Sequence, residues 1–243
     1  MKPARDAMEV RFIIRRYNPE RDERPYWEEF PVRARPGMTV LEALHQIREE
    51  RDPALAWRSS CRMGVCGSCG MVVNGVPRLA CSTQVLEVSR TRLRVEPLWN
   101  FDIVKDLVAD QATMFAAHAE VQPYLVRPGE SASGTGQSEL AQSPEQLLDY
   151  LQFSFCIKCG LCMAACPTVA TEADYLGPMP LTAAQRYNAD SRDRGAASRR
   201  GRLERTGGAF HCHFAGECSR VCPKGVDPAR AIQLLKRNLI FPK

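Results

Sequence analysis

The sequence predicts an α+β fold in two domains, a small sheet-rich domain at residues 1–100 and a mainly helical domain at residues 101–243. Three observations predict it. The chain has 243 residues, which is enough for two hydrophobic cores of ordinary size. Apolar residues alternate with charged ones early in the chain, as in strands, and recur at helical spacing later. The eleven cysteines also lie on either side of a cysteine-free stretch, residues 82–155.

The first domain is predicted to be a small sheet with one helix and a metal-binding loop. Strands are expected where apolar residues alternate with polar ones, at residues 10–14, 30–32 and 93–95. Thr39 and Glu42 have the spacing of a capping box, which predicts that a helix begins there. Residues 71–76 contain Asn-Gly between apolar residues, a pattern typical of a hairpin.

The second domain is expected to begin with a helix from Phe101 to about Val121, followed by an exposed connection. Residues 126–143 are rich in Gly and Ser and contain little to bury, which predicts that connection. Ser143, Pro144 and Gln146 then have the order of a capping serine, a proline at the first helical position and a glutamine at the third. A second helix is therefore expected from residue 144.

Charge and hydropathy exclude several classes of protein. The net charge of +5 comes from 33 basic and 28 acidic residues, dispersed along the chain rather than gathered in a nucleic-acid-binding stripe. The exception is the arginine-rich stretch 191–205, interpreted as a solvated loop, with a partner-facing or lipid-facing role as the alternative. The chain has neither a long apolar run nor the apolar core of a secretory signal. We therefore expect no nucleic-acid binding, no transmembrane segment and no export by the usual signal.

The first cysteine group has the spacing of a plant-type 2Fe-2S centre, Cys-x4-Cys-x2-Cys and one later cysteine. An odd total of eleven, without an export signal, disfavours disulfides. Glycines between the cysteines let backbone N–H groups point at the sulfurs. A structural zinc site is the alternative, although zinc prefers paired Cys-x2-Cys motifs. The predicted 2Fe-2S ligands are Cys61, Cys66, Cys69 and Cys81.

The second and third groups are interpreted together. Residues 156–167 match the bacterial ferredoxin run, in which the fourth cysteine serves the other cluster. The same template on residues 212–223 has Ala215 where a second cysteine would stand, so one site has three thiolates and suits a 3Fe-4S cluster. The predicted 4Fe-4S ligands are Cys156, Cys159, Cys162 and Cys222. The predicted 3Fe-4S ligands are Cys166, Cys212 and Cys218.

Four stretches resemble the iron-sulfur subunits of succinate dehydrogenase and fumarate reductase, the respiratory complex II family. They are SSCRMGVCGSCG, CIKCGLCMAACP, LGPMPLTAAQRYNADSRD and ECSRVCPKGVDPARAIQ. The resemblance covers nearly the whole chain, and the third stretch is more similar to fumarate reductase subunits. It implies a β-grasp plant-type ferredoxin domain followed by a bacterial-ferredoxin-like helical domain.

The resemblance also implies a function in which this chain conducts electrons. A flavoprotein partner carrying FAD interconverts succinate and fumarate, and single electrons pass through the three clusters to a quinone beside hydrophobic membrane anchor subunits. The resemblance then implies that this chain is peripheral on the cytoplasmic face of the cell membrane, where the anchor subunits hold it. The residues agree, because the chain has no Rossmann fingerprint and no nucleophile elbow for dicarboxylate chemistry of its own.

The resemblance places three quinone-contacting positions at Pro167, His213 and Lys236. A lysine there can donate to a quinone oxygen and stabilise its reduced forms. The alternatives are cluster packing for Pro167, a local role for His213 and an exposed helix end for Lys236. Many family members have a tryptophan within residues 168–171, where this chain reads TVAT. The remaining histidines match no motif position: His45, His118 and His211.

Two other classes of protein stay open on the sequence alone. One is an iron-sulfur carrier for another dehydrogenase, or for a soluble disulfide or fumarate reductase. The other is a zinc-stabilised interaction or nucleic-acid module. Copurification with a flavoprotein and membrane chains tests the first, and a brown or colourless protein tests the second.

Overall fold

The computed structural model describes residues 7–127 and 140–241, and the chain divides into two compact units. The first unit comprises residues 1–111 and 157–165, and the second comprises residues 112–156 and 166–243. A short segment from the later half of the sequence, containing Cys159 and Cys162, therefore belongs to the first unit. The connection expected at residues 126–143 falls mostly on residues 128–139, which lie outside the described residues.

The first unit contains a five-stranded sheet in the order β2-β1-β5-β3-β4. Strands β1 and β5 are parallel, and every other neighbouring pair is antiparallel. The helix after β2 completes the β-grasp arrangement, as the resemblance implied. The strands are β1 (Met8–Arg16), β2 (Tyr26–Ala34), β3 (Gly70–Val73), β4 (Val76–Leu79), β5 (Arg92–Glu96), β6 (Ile103–Lys105) and β7 (Val108–Ala109). The helices are α1 (Val40–Glu50), α2 (Val85–Val88) and α6 (Leu161–Ala164).

Local sequence signals explain these elements. In β1 the side chains of Val10, Phe12 and Ile14 are fully buried, on the face that the alternation predicted. Helix α1 begins at a complete capping box, in which the Glu42 amide donates to Thr39 Oγ1 at 3.2 Å and the Thr39 amide donates to Glu42 Oε2 at 2.7 Å. The predicted strands at residues 10–14, 30–32 and 93–95, the hairpin at residues 71–76 and the helix that begins at the capping box of Thr39 are confirmed.

Residues 101–111 differ from the expectation. The predicted helix from Phe101 is wrong for this stretch, which forms strands β6 and β7, and helix α3 (Ala112–Glu120) begins only afterwards. The tertiary partners of Asp106 explain the difference. Its carboxylate accepts hydrogen bonds from Arg16 Nε at 3.0 Å and from the Ala56 amide at 3.0 Å, and its backbone φ is 45°. A left-handed residue at this position ends a helix.

The second unit is helical. Its helices are α3, α4 (Pro144–Leu148), α5 (Leu151–Ser154), α7 (Pro167–Thr171), α8 (Pro178–Asn188), α9 (Ala196–Glu204), α10 (Glu217–Arg220) and α11 (Pro228–Ile240), with a 3-10 turn at Ala209–His211. Helix α4 begins at the capping box predicted from Ser143 and Gln146. A large apolar cluster joins α8 to α11 through Leu181, Ile232 and Leu235. No helix within residues 7–127 or 140–241 combines the length and apolarity needed to cross a bilayer.

The arginine-rich stretch is not a solvated loop throughout. Residues 196–204 form helix α9, and Arg199 is 1% exposed. Its guanidinium donates to the backbone oxygens of Val121 at 3.0 Å and Tyr124 at 2.8 Å and pairs with Asp193 at 2.7 Å. A buried guanidinium is stable only when its charge and donors are matched in this way. The loop interpretation is therefore wrong for Arg199.

Candidate metal centres

All eleven cysteines lie within the described residues, and none forms a disulfide. The first four belong to the first unit. Backbone N–H groups surround their sulfurs: Cys61 Sγ accepts from the amides of Met63 at 3.4 Å and Cys66 at 3.3 Å, and Cys81 Sγ accepts from the Gly64 amide at 3.2 Å. Donors of this kind stabilise thiolate charge, so the loop fits the 2Fe-2S cluster that its spacing predicts.

The loop sulfurs differ in their acidity. The Ser68 hydroxyl, followed by the backbone amide of Cys61, lowers the pKa of the Cys66 thiol to about 6 through hydrogen bonds. Burial raises the pKa of Cys69 to about 12. Because the thiolate is the metal-binding form, these hydrogen bonds favour the metal-binding form of Cys66. Sequence reasoning missed Ser68, although it stands inside the cysteine motif.

Gly67 brings this loop against Cys159, within the same unit. A Cβ added to Gly67 would lie 2.7 Å from Cys159 Cβ and 2.8 Å from Cys159 Cα, and the φ of Gly67 is 78°. Atoms never approach so closely without displacement, so only glycine fits here. The loop predicted to hold the first cluster therefore adjoins a residue predicted to hold the second.

The second and third cysteine groups share one backbone conformation. Lys158 and Phe214 have φ values of 55° and 59°, and Gly160 and Gly216 have φ values of 79° and 78°. In each loop the glycine is the N-cap of a four-residue helix, α6 or α10. The two loops are therefore an internal repeat in geometry as well as in spacing. Ala215 occupies the position that corresponds to Cys159.

Three cysteines of the second unit line one pocket: Cys166, Cys212 and Cys218. Ala215 lines the same pocket. The Phe214 amide donates to Cys212 Sγ at 3.4 Å, as the amides of the first loop do to their sulfurs. Burial raises the pKa of Cys218 to about 11, and the nearby thiols of Cys166 and Cys212 act in the same direction. The structure thus brings together the three sulfurs that the crossing rule assigned to a 3Fe-4S cluster.

The other predicted ligand set is drawn from both units. Cys159 and Cys162 belong to the first unit. Cys156 and Cys222 belong to the second, where both pack against an apolar cluster around Tyr150. Within that unit, Cys156 and Cys222 pack against the same apolar cluster although residues 157–221 separate them in sequence.

Each predicted quinone position either lines the pocket of Cys166, Cys212 and Cys218 or contacts Cys212. Pro167 begins helix α7 and lines the pocket, and His213 lines it from the exposed side. Lys236, on helix α11, donates from Nζ to the backbone oxygen of Cys212 at 2.8 Å. Lys236 is half-buried, so it is not the exposed helix-end residue of the alternative interpretation. Tyr175 also lines the pocket, and sequence reasoning missed it.

Two known protein families match the two parts of the chain that carry the cysteine groups. The 2Fe-2S iron-sulfur cluster binding domain family matches residues 11–116, and the 4Fe-4S dicluster domain family matches residues 152–226. The fumarate reductase iron-sulfur subunit of Mycobacterium tuberculosis is 44% identical over 94% of this chain and 95% of its own length. The chain belongs to the family of fumarate reductase and succinate dehydrogenase iron-sulfur subunits. Membership in this family excludes the zinc-stabilised module.

Other members support the same assignment. The fumarate reductase iron-sulfur subunit of Escherichia coli O6:H1 is 44% identical, with coverage of 92% of this chain and 90% of its own. The mitochondrial succinate dehydrogenase iron-sulfur subunit of Candida glabrata is 36% identical, over 95% and 91%. A chain of the Mycobacterium smegmatis Sdh1 complex in the apo form has a TM-score of 0.84 at 23% identity and covers 98% of both chains, which shows a shared fold.

Proposed function

We propose that this chain is the electron-transfer subunit of a succinate:quinone oxidoreductase, working as a succinate dehydrogenase or a fumarate reductase. The observation that carries the proposal is the three-part cysteine pattern in a member of this family. In the structure, the cysteines of the first set lie together in one loop region, and those of the last set line one pocket. When bound, the 2Fe-2S, 4Fe-4S and 3Fe-4S clusters supply one-electron transfer between the flavin and the quinone. The dicarboxylate chemistry belongs to the flavoprotein partner.

The chain's own residues hold these three centres. Backbone amides at residues 61–66 stabilise the thiolates of the first site. The contact of Gly67 with Cys159 keeps one predicted ligand of the second site close to the first site, which shortens the path of an electron. The last site is formed by Cys166, Cys212 and Cys218. Ala215 lines the same pocket at the position where a fourth thiolate would stand.

Lys236 and His213 form the proposed quinone end, with Pro167 beside them. A lysine ammonium has three donor hydrogens, so Lys236 can keep its bond to the Cys212 carbonyl and still donate to a quinone oxygen. That donor stabilises negative charge developing on the oxygen. His213 is exposed beside the same loop and supplies a second polar group.

The partners follow from the family. They are a flavoprotein subunit carrying FAD and one or more hydrophobic anchor subunits, through which this chain is held peripherally at the membrane. We place it on the cytoplasmic face of the cell membrane, because a chain rich in thiolate ligands suits a reducing compartment.

The test is purification of the intact complex from membranes, with succinate-to-quinone and quinol-to-fumarate assays on the same sample. We expect a flavoprotein and hydrophobic chains to copurify and at least one of the two activities to be present. Copurification with a different dehydrogenase, without hydrophobic chains and without either activity, would support the alternative carrier instead.

A further inference from the structure

Asp106 is a buried carboxylate in the first unit, at the turn of the hairpin that strands β6 and β7 form. Its Oδ1 accepts hydrogen bonds from Arg16 Nε at 3.0 Å and from the Tyr17 amide at 3.1 Å. Its Oδ2 accepts from the Ala56 amide at 3.0 Å. The hairpin is therefore fastened both to the end of strand β1 and to the connection that follows helix α1.

Two further hydrogen bonds join the hairpin to this connection. The Leu107 amide donates to the Ala56 carbonyl at 3.2 Å, so Ala56 is paired through both of its backbone groups. Arg58 donates from Nη1 to the Ala109 carbonyl at 2.8 Å. Cys61, the first predicted ligand of the 2Fe-2S site, follows three residues after Arg58. The hairpin thus holds the chain immediately before that ligand.

The Cys61 sulfur is the point on which three backbone amides converge. Cys61 Sγ accepts from the amides of Met63 at 3.4 Å, Val65 at 3.4 Å and Cys66 at 3.3 Å. All three donors follow Cys61 in the chain, whereas the hairpin holds the residues that precede it. Because a hydrogen bond weakens as its length increases, a shift of Cys61 relative to the loop would weaken all three bonds together.

We propose that Asp106 is a positioning residue for the 2Fe-2S site, which keeps the Cys61 sulfur where the loop amides converge and so keeps the reduction potential of that cluster high. The inference rests on the proposed function, because it requires a 2Fe-2S cluster at the first four cysteines. In succinate oxidation the cluster gains one electron from the partner's flavin, while no covalent bond forms or breaks at the site. The three amides stabilise the added negative charge, so longer bonds lower the potential.

A redox titration of the intact membrane complex tests the proposal, with the electron paramagnetic resonance signal of the reduced 2Fe-2S cluster as the readout. Asp106→Asn places an amide NH2, which only donates, where one carboxylate oxygen now accepts. We expect the 2Fe-2S midpoint potential to fall and the 3Fe-4S midpoint to stay unchanged. The lost negative charge alone would act in the opposite direction, because it makes reduction easier. An unchanged or higher 2Fe-2S midpoint would overturn the proposal.

Glu28→Gln is the matched control. Glu28, on strand β2, also pairs with the Arg16 guanidinium, so this variant removes the same charge beside Arg16 and leaves the bonds between Asp106 and Ala56 in place. Its 2Fe-2S midpoint should not fall. An equal fall in both variants would also overturn the proposal, because the charge around Arg16, rather than the bond to Ala56, would then explain the shift.

A second variant covers the case in which Asp106→Asn fails to assemble. Arg58→Met replaces an exposed residue and removes the bond to the Ala109 carbonyl, while the pair of Arg16 and Asp106 stays intact. We expect its 2Fe-2S midpoint to fall below that of Arg51→Met, which removes the same charge from an exposed position at the start of the connection. Equal midpoints in these two variants would contradict the proposal. A wild-type complex without any 2Fe-2S signal would instead contradict the proposed function, so the two failures are distinguishable.

Discussion

Ala215 stands at the one ligand position of the two repeated loops that lacks sulfur. Its neighbours Phe214 and Gly216 have the left-handed backbone that flanks Cys159 in the other loop, and Ala215 lines the three-thiolate pocket. The backbone is therefore already arranged to present a fourth ligand. The absence of one thiolate, rather than a different loop, is what distinguishes this site from a four-iron site.

We expect Ala215→Cys to convert the three-iron centre to a four-iron one, because the variant restores the missing thiolate. The signal of the oxidised 3Fe-4S cluster in electron paramagnetic resonance should then disappear. Phe210→Cys is a control, since this exposed residue lies outside the ligand pattern and should leave the signal intact. A full 3Fe-4S signal in Ala215→Cys would contradict the ligand assignment.

Lys236 connects helix α11 to the ligand loop through the Cys212 carbonyl. We expect Lys236→Ala to slow quinone reactions about tenfold or more, the loss that corresponds to one charge-assisted hydrogen bond of about 1.5–3 kcal/mol. Electron transfer to artificial dyes should persist. The measurement compares quinone and dye activities on one preparation.

Arg237→Ala is the matched control for this variant, because Arg237 is the exposed neighbour on the same helix. It should retain both activities. An equal loss of quinone and dye activity in Lys236→Ala would point to cluster loss, and would contradict a role in quinone binding.

At the scale of the element, the contact of the first ligand loop with Cys159 depends on Gly67. We expect Gly67→Ala to lose 2Fe-2S content, because its Cβ would overlap the Cys159 backbone at 2.8 Å. Left-handed strain alone costs about 1–2 kcal/mol. Gly75→Ala controls for that strain, since Gly75 has φ 76° and nothing within 4 Å of an added Cβ.

The readout is the signal of the reduced 2Fe-2S cluster, together with iron content. Gly75→Ala should remain nearly normal, whereas Gly67→Ala should show clear cluster loss. If the two variants behave alike, backbone strain explains the effect and the close approach to Cys159 does not.

Helix α9 shows how one buried charge holds an element in place. We expect Arg199→Met to lower the free energy of unfolding by about 3–5 kcal/mol, because the variant leaves Asp193 without its buried partner. Thermal unfolding of the purified chain by circular dichroism measures this. Arg194→Met is the control, because Arg194 is exposed and its guanidinium donates to the backbone oxygen of Ser191. This variant should change the free energy of unfolding little. Equal stability of both variants would contradict the structural role of Arg199.

At the scale of the whole molecule, the three cysteine sets require a fixed iron content. A 2Fe-2S, a 4Fe-4S and a 3Fe-4S cluster predict about nine irons per chain. Iron and acid-labile sulfide analysis of anaerobically purified complex checks this. Markedly fewer irons in a sample with full activity would contradict the three-cluster assignment.

The sequence by itself determined the kind of cofactor and the architecture around it. Ligand spacing is a local property of the chain, so the cysteine runs and Ala215 could be recognised without coordinates. The alternating strand of β1 and the capping boxes at Thr39 and Ser143 are equally local, and each was confirmed.

Only the tertiary structure decided the features that depend on residues far apart in the chain. Asp106 ends the expected helix because its partner, Arg16, comes from strand β1. Arg199 can be buried because backbone oxygens at residues 121–124 accept hydrogen bonds from its guanidinium. Gly67 meets Cys159, and Tyr175 lines the pocket of Cys166, Cys212 and Cys218, through folding alone. Spacing along the sequence encodes which atoms can bind iron, whereas packing in three dimensions sets what surrounds those atoms.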